Sequence, residues 1–282
     1  MERQPVKQPL YDFGGSGSVV HVAVANGFPP AVYVPLVAPL TQRYHVVSLP
    51  PRALWPGEQP PEQREDWSGL AEDLLAGLRA YDFTDVIAIG HSFGGIGTIL
   101  AALAEPERFR AVILLDPTIL PPDAMAAMAA AQADGTVVNF SLAQGALRRR
   151  RRFASVDEAY AYFRGKSLFT GWPDATVRLY AEEGLRLAAD GNGLELAWPP
   201  EWEAYYFTTL YTHTWEVVGG LRPPVLTIRG GASDTFFAES AERLRGLLPE
   251  MAYAEIPGHG HLFPQSAPDE TGRIIQTWLA RL

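Results

Sequence analysis

The sequence predicts an α/β fold in which a mostly parallel sheet is covered by helices on both faces. Two observations carry this. Short, nearly all-apolar runs recur at "VVHVAVA" (19–25), "YHVVSL" (44–49), "VIAIG" (86–90), "AVILLD" (111–116), "VLTIRG" (225–230) and "MAYAEI" (251–256). Helix-like segments at 66–81, 93–104, 237–248 and 268–282 separate several of them. Strands that lack polar alternation are buried on both faces, and helical crossovers are how parallel strands are joined.

Taken in order, the chain begins with "YDFGGSGSVV" (11–20), which reads as two strands joined by a glycine turn and places an antiparallel pair at the sheet edge. The strand–helix rhythm then runs to Asp116 and breaks until Pro223. That interval holds helix-like pieces at 122–133, 156–164, 175–189 and 201–217 and no convincing core strand. The expected division is a core of 1–116 and 221–282 interrupted by a helical insertion at 117–220.

The composition is that of a globular protein, with 47% hydrophobic and 20% charged residues in 282. A formal charge of −9 argues against a dedicated nucleic-acid or anionic-membrane binder. The exception is the run Arg148 to Arg152, which reads as a solvated turn or helix face because no aromatic residue interrupts it. No cysteine is present, so disulfides, thiolate metal sites and a cysteine nucleophile are excluded. The opening "MERQPVKQPL" has no apolar signal core, and no apolar run reaches a membrane span, so a cytoplasmic protein is expected.

Loops that follow the strands of a parallel sheet gather at its carboxyl edge, where ligands bind. This filter passes Asn26, Ser92, Asp116, Asp234 and His261 and rejects Asp82 and Asp85, which precede a strand. A serine hydroxyl needs a base, and the base needs a carboxylate to hold its tautomer. Ser92, Asp234 and His261 supply these groups, and Gly90-His91-Ser92-Phe93-Gly94 matches the G-x-S-x-G strand-to-helix elbow.

With these residues in hand, the chain resembles an α/β-hydrolase-fold serine hydrolase of the cap-domain type over essentially its whole length. The matching stretches are "VANGFPP" (24–30), "IGHSFGG" (89–95), "LTIRGGASD" (226–234) and "PGHGHLFPQSAPDE" (257–270). The resemblance implies that Ser92 is the nucleophile, His261 the general base, Asp234 its orienting acid, and the backbone N–H groups of Phe28 and Phe93 the oxyanion hole. It makes the insertion a lid. Where such proteins often carry His-Gly after the first parallel strand, this chain carries Asn26-Gly27, which changes the hydrogen bonding that fixes the loop.

Each choice has a rival. His259 stands two residues from His261, and Asp116 ends a strand as Asp234 does, a position from which some members of the fold supply the acid. A metal pair at "HGH" lacks a third ligand at suitable spacing, so neither metal nor cofactor is expected. The insertion carries about half of the aromatic residues, and Trp202, Tyr206 and His213 lie near one helical face as candidate substrate contacts, with the insertion's own core as the plainer explanation. The expected partner is a small hydrophobic substrate with an ester or related acyl bond. Carbon–carbon bond hydrolase, cofactor-free perhydrolase and non-hydrolytic binding protein stay open on the same residues. A nucleotide-binding reading of "GHSFGG" fails to account for Asp234 and His261, and Ser92 would block pyrophosphate approach.

Overall fold

The computed structural model describes residues 8–282. Seven strands form the main sheet: β1 (Tyr11–Gly14), β2 (Val19–Ala23), β3 (His45–Ser48), β4 (Val86–His91), β5 (Phe109–Leu115), and two that follow the insertion. The insertion contributes a second, three-stranded antiparallel sheet from β6 (Arg152–Phe153), β7 (Leu185–Leu187) and β8 (Leu194–Leu196). The last two strands of the main sheet are β9 (Val225–Gly230) and β10 (Ala252–Ile256). Spatial order is β1-β3-β2-β4-β5-β9-β10, and every pair is parallel except β1 with β3.

The antiparallel edge is present, but the expected hairpin is not: β1 pairs with β3 and not with β2. The reason lies in burial. Four of the five residues of β2 are buried, so it belongs inside the sheet between β3 and β4, whereas β1 has no buried residue and suits the edge.

The helices are α1 (Val34–Val37), α2 (Ser68–Ala80), α3 (Phe93–Ala104), α4 (Pro122–Ala133), α5 (Phe140–Leu147), α6 (Val156–Arg164), α7 (Asp174–Glu183), α8 (Pro200–Thr208), α9 (Thr214–Val217), α10 (Ala238–Leu247), α11 (Phe263–Ser266) and α12 (Pro268–Leu279). Strands β4, buried throughout, and β5, buried except at Arg110, sit at the centre, and α3 packs across them with nine buried residues. No helix among the described residues is long and apolar enough to cross a membrane.

Between β5 and β9 the structure is more varied than a helical insertion. The small sheet replaces the end of the expected 175–189 helix, and the expected 201–217 helix breaks after Thr208 into α8 and α9. The insertion shares one continuous buried cluster with the main sheet, in which Phe93 of α3 contacts Trp198 and Tyr206. Trp202 and Tyr206 belong to this packing: the two rings stack at 5.2 Å and the Trp202 indole donates to the Glu58 carbonyl.

Candidate active site

Ser92 stands between the last residue of β4 and the first of α3, with φ 59° and ψ −124°. That backbone is one L-residues rarely adopt, and it lifts the side chain out of the turn. The turn closes because Gly94 has no side chain: a Cβ there would lie 2.5 Å from the Val24 carbonyl oxygen and 2.6 Å from that of Ala23. Phe93 opens α3, so its N–H belongs to the first turn, whose donors have no partner within the helix.

His261 follows β10, and its imidazole joins Ser92 to a buried carboxylate. Its Nε2 lies 2.9 Å from Ser92 Oγ, and its Nδ1 lies 2.7 Å from Asp116 Oδ2. A carboxylate only accepts, so Nδ1 carries the proton and Nε2 is left to accept from Ser92. The single hydroxyl hydrogen of Ser92 is thereby committed, and Thr118, 3.2 Å away, donates its own to Ser92 Oγ.

The carboxylate that meets His261 is therefore Asp116, and not Asp234 as expected from the sequence. Asp116 is fully buried at the end of β5 with φ 43°, and besides His261 it accepts from the Gly230 N–H at 2.8 Å and from the Ser233 hydroxyl. Asp234 is exposed and, among the described residues, bonds only to Thr235 Oγ1, at 3.4 Å. The two aspartates follow neighbouring strands, but β5 lies between β4 and β9, directly beside the strand that leads into Ser92. The loop after β9 keeps a supporting part, because its Gly230 and Ser233 orient Asp116. His259, the rival of His261, bonds to Ser266.

The turn from Ala25 to Phe28 approaches from β2. Gly27 has φ 85° at its third position, as a type II turn requires, and a Cβ there would also press on the Glu203 carboxylate at 3.1 Å. The Phe28 N–H closes the turn onto the Ala25 carbonyl at 3.2 Å, and the Asn26 amide donates to the Glu203 carbonyl at 3.0 Å.

Beneath the site lies a chain of hydrogen bonds whose polarity is fully determined. His91 Nε2 is 3.0 Å from the His261 carbonyl, which can only accept, so that nitrogen carries hydrogen. Burial first, and the neighbouring His261 second, hold the His91 pKa well below the ordinary value, so the ring is neutral. Its Nδ1 must then accept from the Tyr33 hydroxyl at 2.6 Å, and the Tyr33 oxygen accepts from the Ala25 N–H at 2.9 Å. His91 thus ties together the elbow, the histidine loop and the Ala25 turn.

Ser92, His261, Asn26, Phe28 and Asp234 all face one cavity of about 750 Å³, with Asp116 hidden behind His261. Its apolar wall includes Met128, Leu142, Leu168, Trp172 and Leu210 from the insertion. Trp202, Tyr206 and His213, the aromatic and histidine contacts expected there, are not on that wall. The first two are insertion core, and the His213 side chain is 61% exposed beside Glu216. The chain breaks at Thr208, so His213 does not share a helix face with them.

Sequence reasoning missed Thr118, Tyr180, Glu203 and Arg149. The arginine run is for the most part the solvated face expected: Arg150, Arg151 and Arg152 pair with Glu158, Glu201 and Asp190 at exposed positions. Arg149 turns inward to the cavity and pairs with Glu203 and the Tyr180 hydroxyl. Burial opposes its charge, but the two partners outweigh burial and raise its pKa. Among the described residues no group of three or more histidines and carboxylates could hold a metal ion.

Comparison with known proteins agrees with this architecture. A model of the Alpha/beta hydrolase family matches residues 19–274. A 2-(acetamidomethylene)succinate hydrolase from Mesorhizobium japonicum is 23% identical over 269 residues, spanning 94% of this chain and 89% of that protein. The crystal structure of an E-2-(acetamidomethylene)succinate hydrolase superposes with a TM-score of 0.75 at 21% identity, covering 96% of this chain and 94% of the other. A thioesterase domain from the curacin biosynthetic pathway gives 0.69 at 16% identity, covering 95% and 94%.

Proposed function

Because the chain belongs to the alpha/beta hydrolase family, we propose that it is a serine hydrolase which cleaves an ester or related acyl bond in a small, uncharged and largely apolar substrate. The observation that supports this most is the unbroken chain Asp116–His261–Ser92, with both bonds under 3 Å and both polarities suited to proton removal from serine. Ser92 Oγ attacks the acyl carbon while its proton passes to His261 Nε2. The same proton then goes to the departing alcohol oxygen as the acyl–oxygen bond breaks. Water, deprotonated by His261, attacks the acyl-enzyme and releases the acid and free Ser92. Asp116 keeps the proton of the resting imidazole on Nδ1 and stabilises the imidazolium. The N–H groups of Phe93 and Phe28 receive the charge on the carbonyl oxygen. The insertion acts as a cap over the cavity and sets selectivity.

The charge on the cavity wall supports an uncharged substrate. Its formally charged side chains are Arg149, Glu203 and Asp234, and Glu203 already neutralises Arg149. A dicarboxylate such as the succinate named for the Mesorhizobium relative would meet one unpaired carboxylate and no unpaired cation. An apolar acyl or alkyl group finds Leu142, Leu168, Trp172 and Leu210.

The test is labelling with a fluorophosphonate, read by intact mass and peptide mapping, together with a panel of neutral and carboxylate-bearing esters. Stoichiometric labelling at Ser92 that disappears in His261→Ala, with turnover of neutral esters, is the expected result. A folded protein that neither labels nor turns over esters would overturn the reading.

A further inference from the structure

We propose that Tyr180, a residue of the insertion, is a positioning residue for the oxyanion hole: its phenol holds the Gly27–Phe28 peptide plane so that the Phe28 N–H stays available to the oxyanion. The proposal rests on the serine-hydrolase reading above and adds a part of the machinery that lies outside the triad and the strand-end loops.

The geometry begins with the phenol's one hydrogen. Tyr180 OH lies 2.5 Å from Arg149 Nη2 and 3.2 Å from the Gly27 carbonyl oxygen. A guanidinium has only donors, so the phenol oxygen accepts from Arg149 and its hydrogen goes to Gly27. The Gly27 carbonyl and the Phe28 N–H are opposite ends of one planar trans peptide, and fixing one end fixes the direction of the other. Donation to the carbonyl also polarises the amide and makes its N–H a better donor.

The plane needs such a hold. Gly27 has no Cβ to resist rotation of the peptide that follows it. The Tyr33 hydroxyl secures the Ala25 N–H, but that bond lies on the far side of Gly27. The remaining tie on the plane is the bond from the Phe28 N–H to the Ala25 carbonyl at 3.2 Å, and this is the donor the oxyanion must share. An unheld plane can turn further toward Ala25 and shorten that bond at the expense of the oxyanion. Tyr180 opposes the turn from the carbonyl end. Tyr180 is itself well anchored: Arg149 binds it and also Glu203, whose carbonyl receives the Asn26 amide, and its ring packs edge-on against Phe28, Phe163 and Phe169. The turn is thus clamped by the insertion at both Asn26 and Gly27.

Tyr180→Phe tests this, because the ring and its contacts stay and only the hydroxyl leaves. Removing an oxyanion donor outright costs roughly 100- to 1000-fold in kcat, so loosening one of two donors is expected to cost about 10-fold. The assay is kcat and KM on p-nitrophenyl butyrate, with the inhibition constant of an alkyl trifluoromethyl ketone, which forms a tetrahedral oxyanion on serine. The expected result is a fall in kcat of about 10-fold, a ketone affinity weakened by a similar factor, and KM within about 2-fold of the wild type. Tyr180→p-aminophenylalanine, which keeps a donor hydrogen at the same place, should recover most of the loss. If Tyr180 only shapes the wall, KM changes while kcat and ketone affinity do not, and the proposal is overturned. Wild-type protein that fails to label with fluorophosphonate removes the hydrolase reading itself. Wild-type protein that labels, beside a Phe variant with unchanged kcat, removes only the role given to Tyr180.

Discussion

Replacing Asp116 with asparagine keeps the shape of the side chain and reverses its bond to His261, on which the proposed base depends. The Asp116 Oδ1 position receives the Gly230 N–H at 2.8 Å, so the oxygen of an asparagine amide is held there and its NH2 is turned toward His261. His261 Nδ1, now facing a donor 2.7 Å away, becomes the acceptor, and the ring proton moves to Nε2. Nε2 then meets Ser92 Oγ with a hydrogen where a lone pair is needed. The best-studied case of this wrong-tautomer change, an aspartate-to-asparagine substitution in a serine protease, loses about 10⁴ in kcat, or about 5.4 kcal/mol of barrier. We expect a loss of that order from Asp116→Asn. Asp234→Asn removes an exposed carboxylate with no bond to His261, and its kcat should stay within about 2-fold of the wild type. Turnover of a neutral p-nitrophenyl ester by the two variants, with thermal melts to show both are folded, decides the matter. Four decades lost in Asp234→Asn, or more than about a tenth of activity kept in Asp116→Asn, would refute the assignment.

Three other outcomes follow from the packing. Tyr33→Phe strands His91 Nδ1 and the Ala25 N–H in the interior, so denaturant unfolding should show a loss of about 1–3 kcal/mol; unchanged stability would mean the relay carries no weight. Trp202→Ala should cost about 3–5 kcal/mol of stability with KM nearly unchanged, whereas a large rise in KM in a protein of normal stability would restore Trp202 to the substrate wall. Full burial pushes the pKa of His21 down to about 3, and its Nε2 can accept the Leu49 N–H only while unprotonated, so its neutral form stabilises the fold above the ordinary histidine pKa. That contribution is lost progressively as pH falls from about 6.5 toward 3, because the unfolded chain takes up a proton the folded chain refuses; at pH 5 the loss is about 2 kcal/mol. Urea midpoints at pH 7 and pH 5 should therefore converge more closely in His21→Gln than in the wild type, and equal pH sensitivity would contradict the assignment.

The readability of this chain follows the range of the forces involved. The helices at 93–104, 122–133 and 156–164 begin and end where the sequence places them, and all six apolar runs become strands of the main sheet, the last of them at its edge. That Ser92 and His261 would meet was legible because each is bound to a local pattern: the glycine-flanked elbow for one, the segment after the last strand for the other. The choice between Asp116 and Asp234 was not local. Both follow strands, and the outcome depends on β5 lying next to β4, which is a matter of sheet order. Strands of two and three residues in the insertion are too short to show alternation, so β6, β7 and β8 left no periodic signal. Arg149 was hidden among identical neighbours. Nothing in five consecutive arginines marks the one that turns inward.

The left-handed backbone at the elbow also bears on how the protein can be improved or broken. A non-glycine residue at φ 59° and ψ −124° carries a conformational cost of order 1–3 kcal/mol, which the surrounding sheet and helix are stable enough to sustain. Glycine at position 92 would shed that cost along with the hydroxyl, giving a protein that is sturdier and, on the proposed mechanism, inert. Selection for thermal resistance alone would therefore favour loss of the very residue proposed to perform the chemistry. A search for hardier variants of this chain has to be screened for turnover at every round.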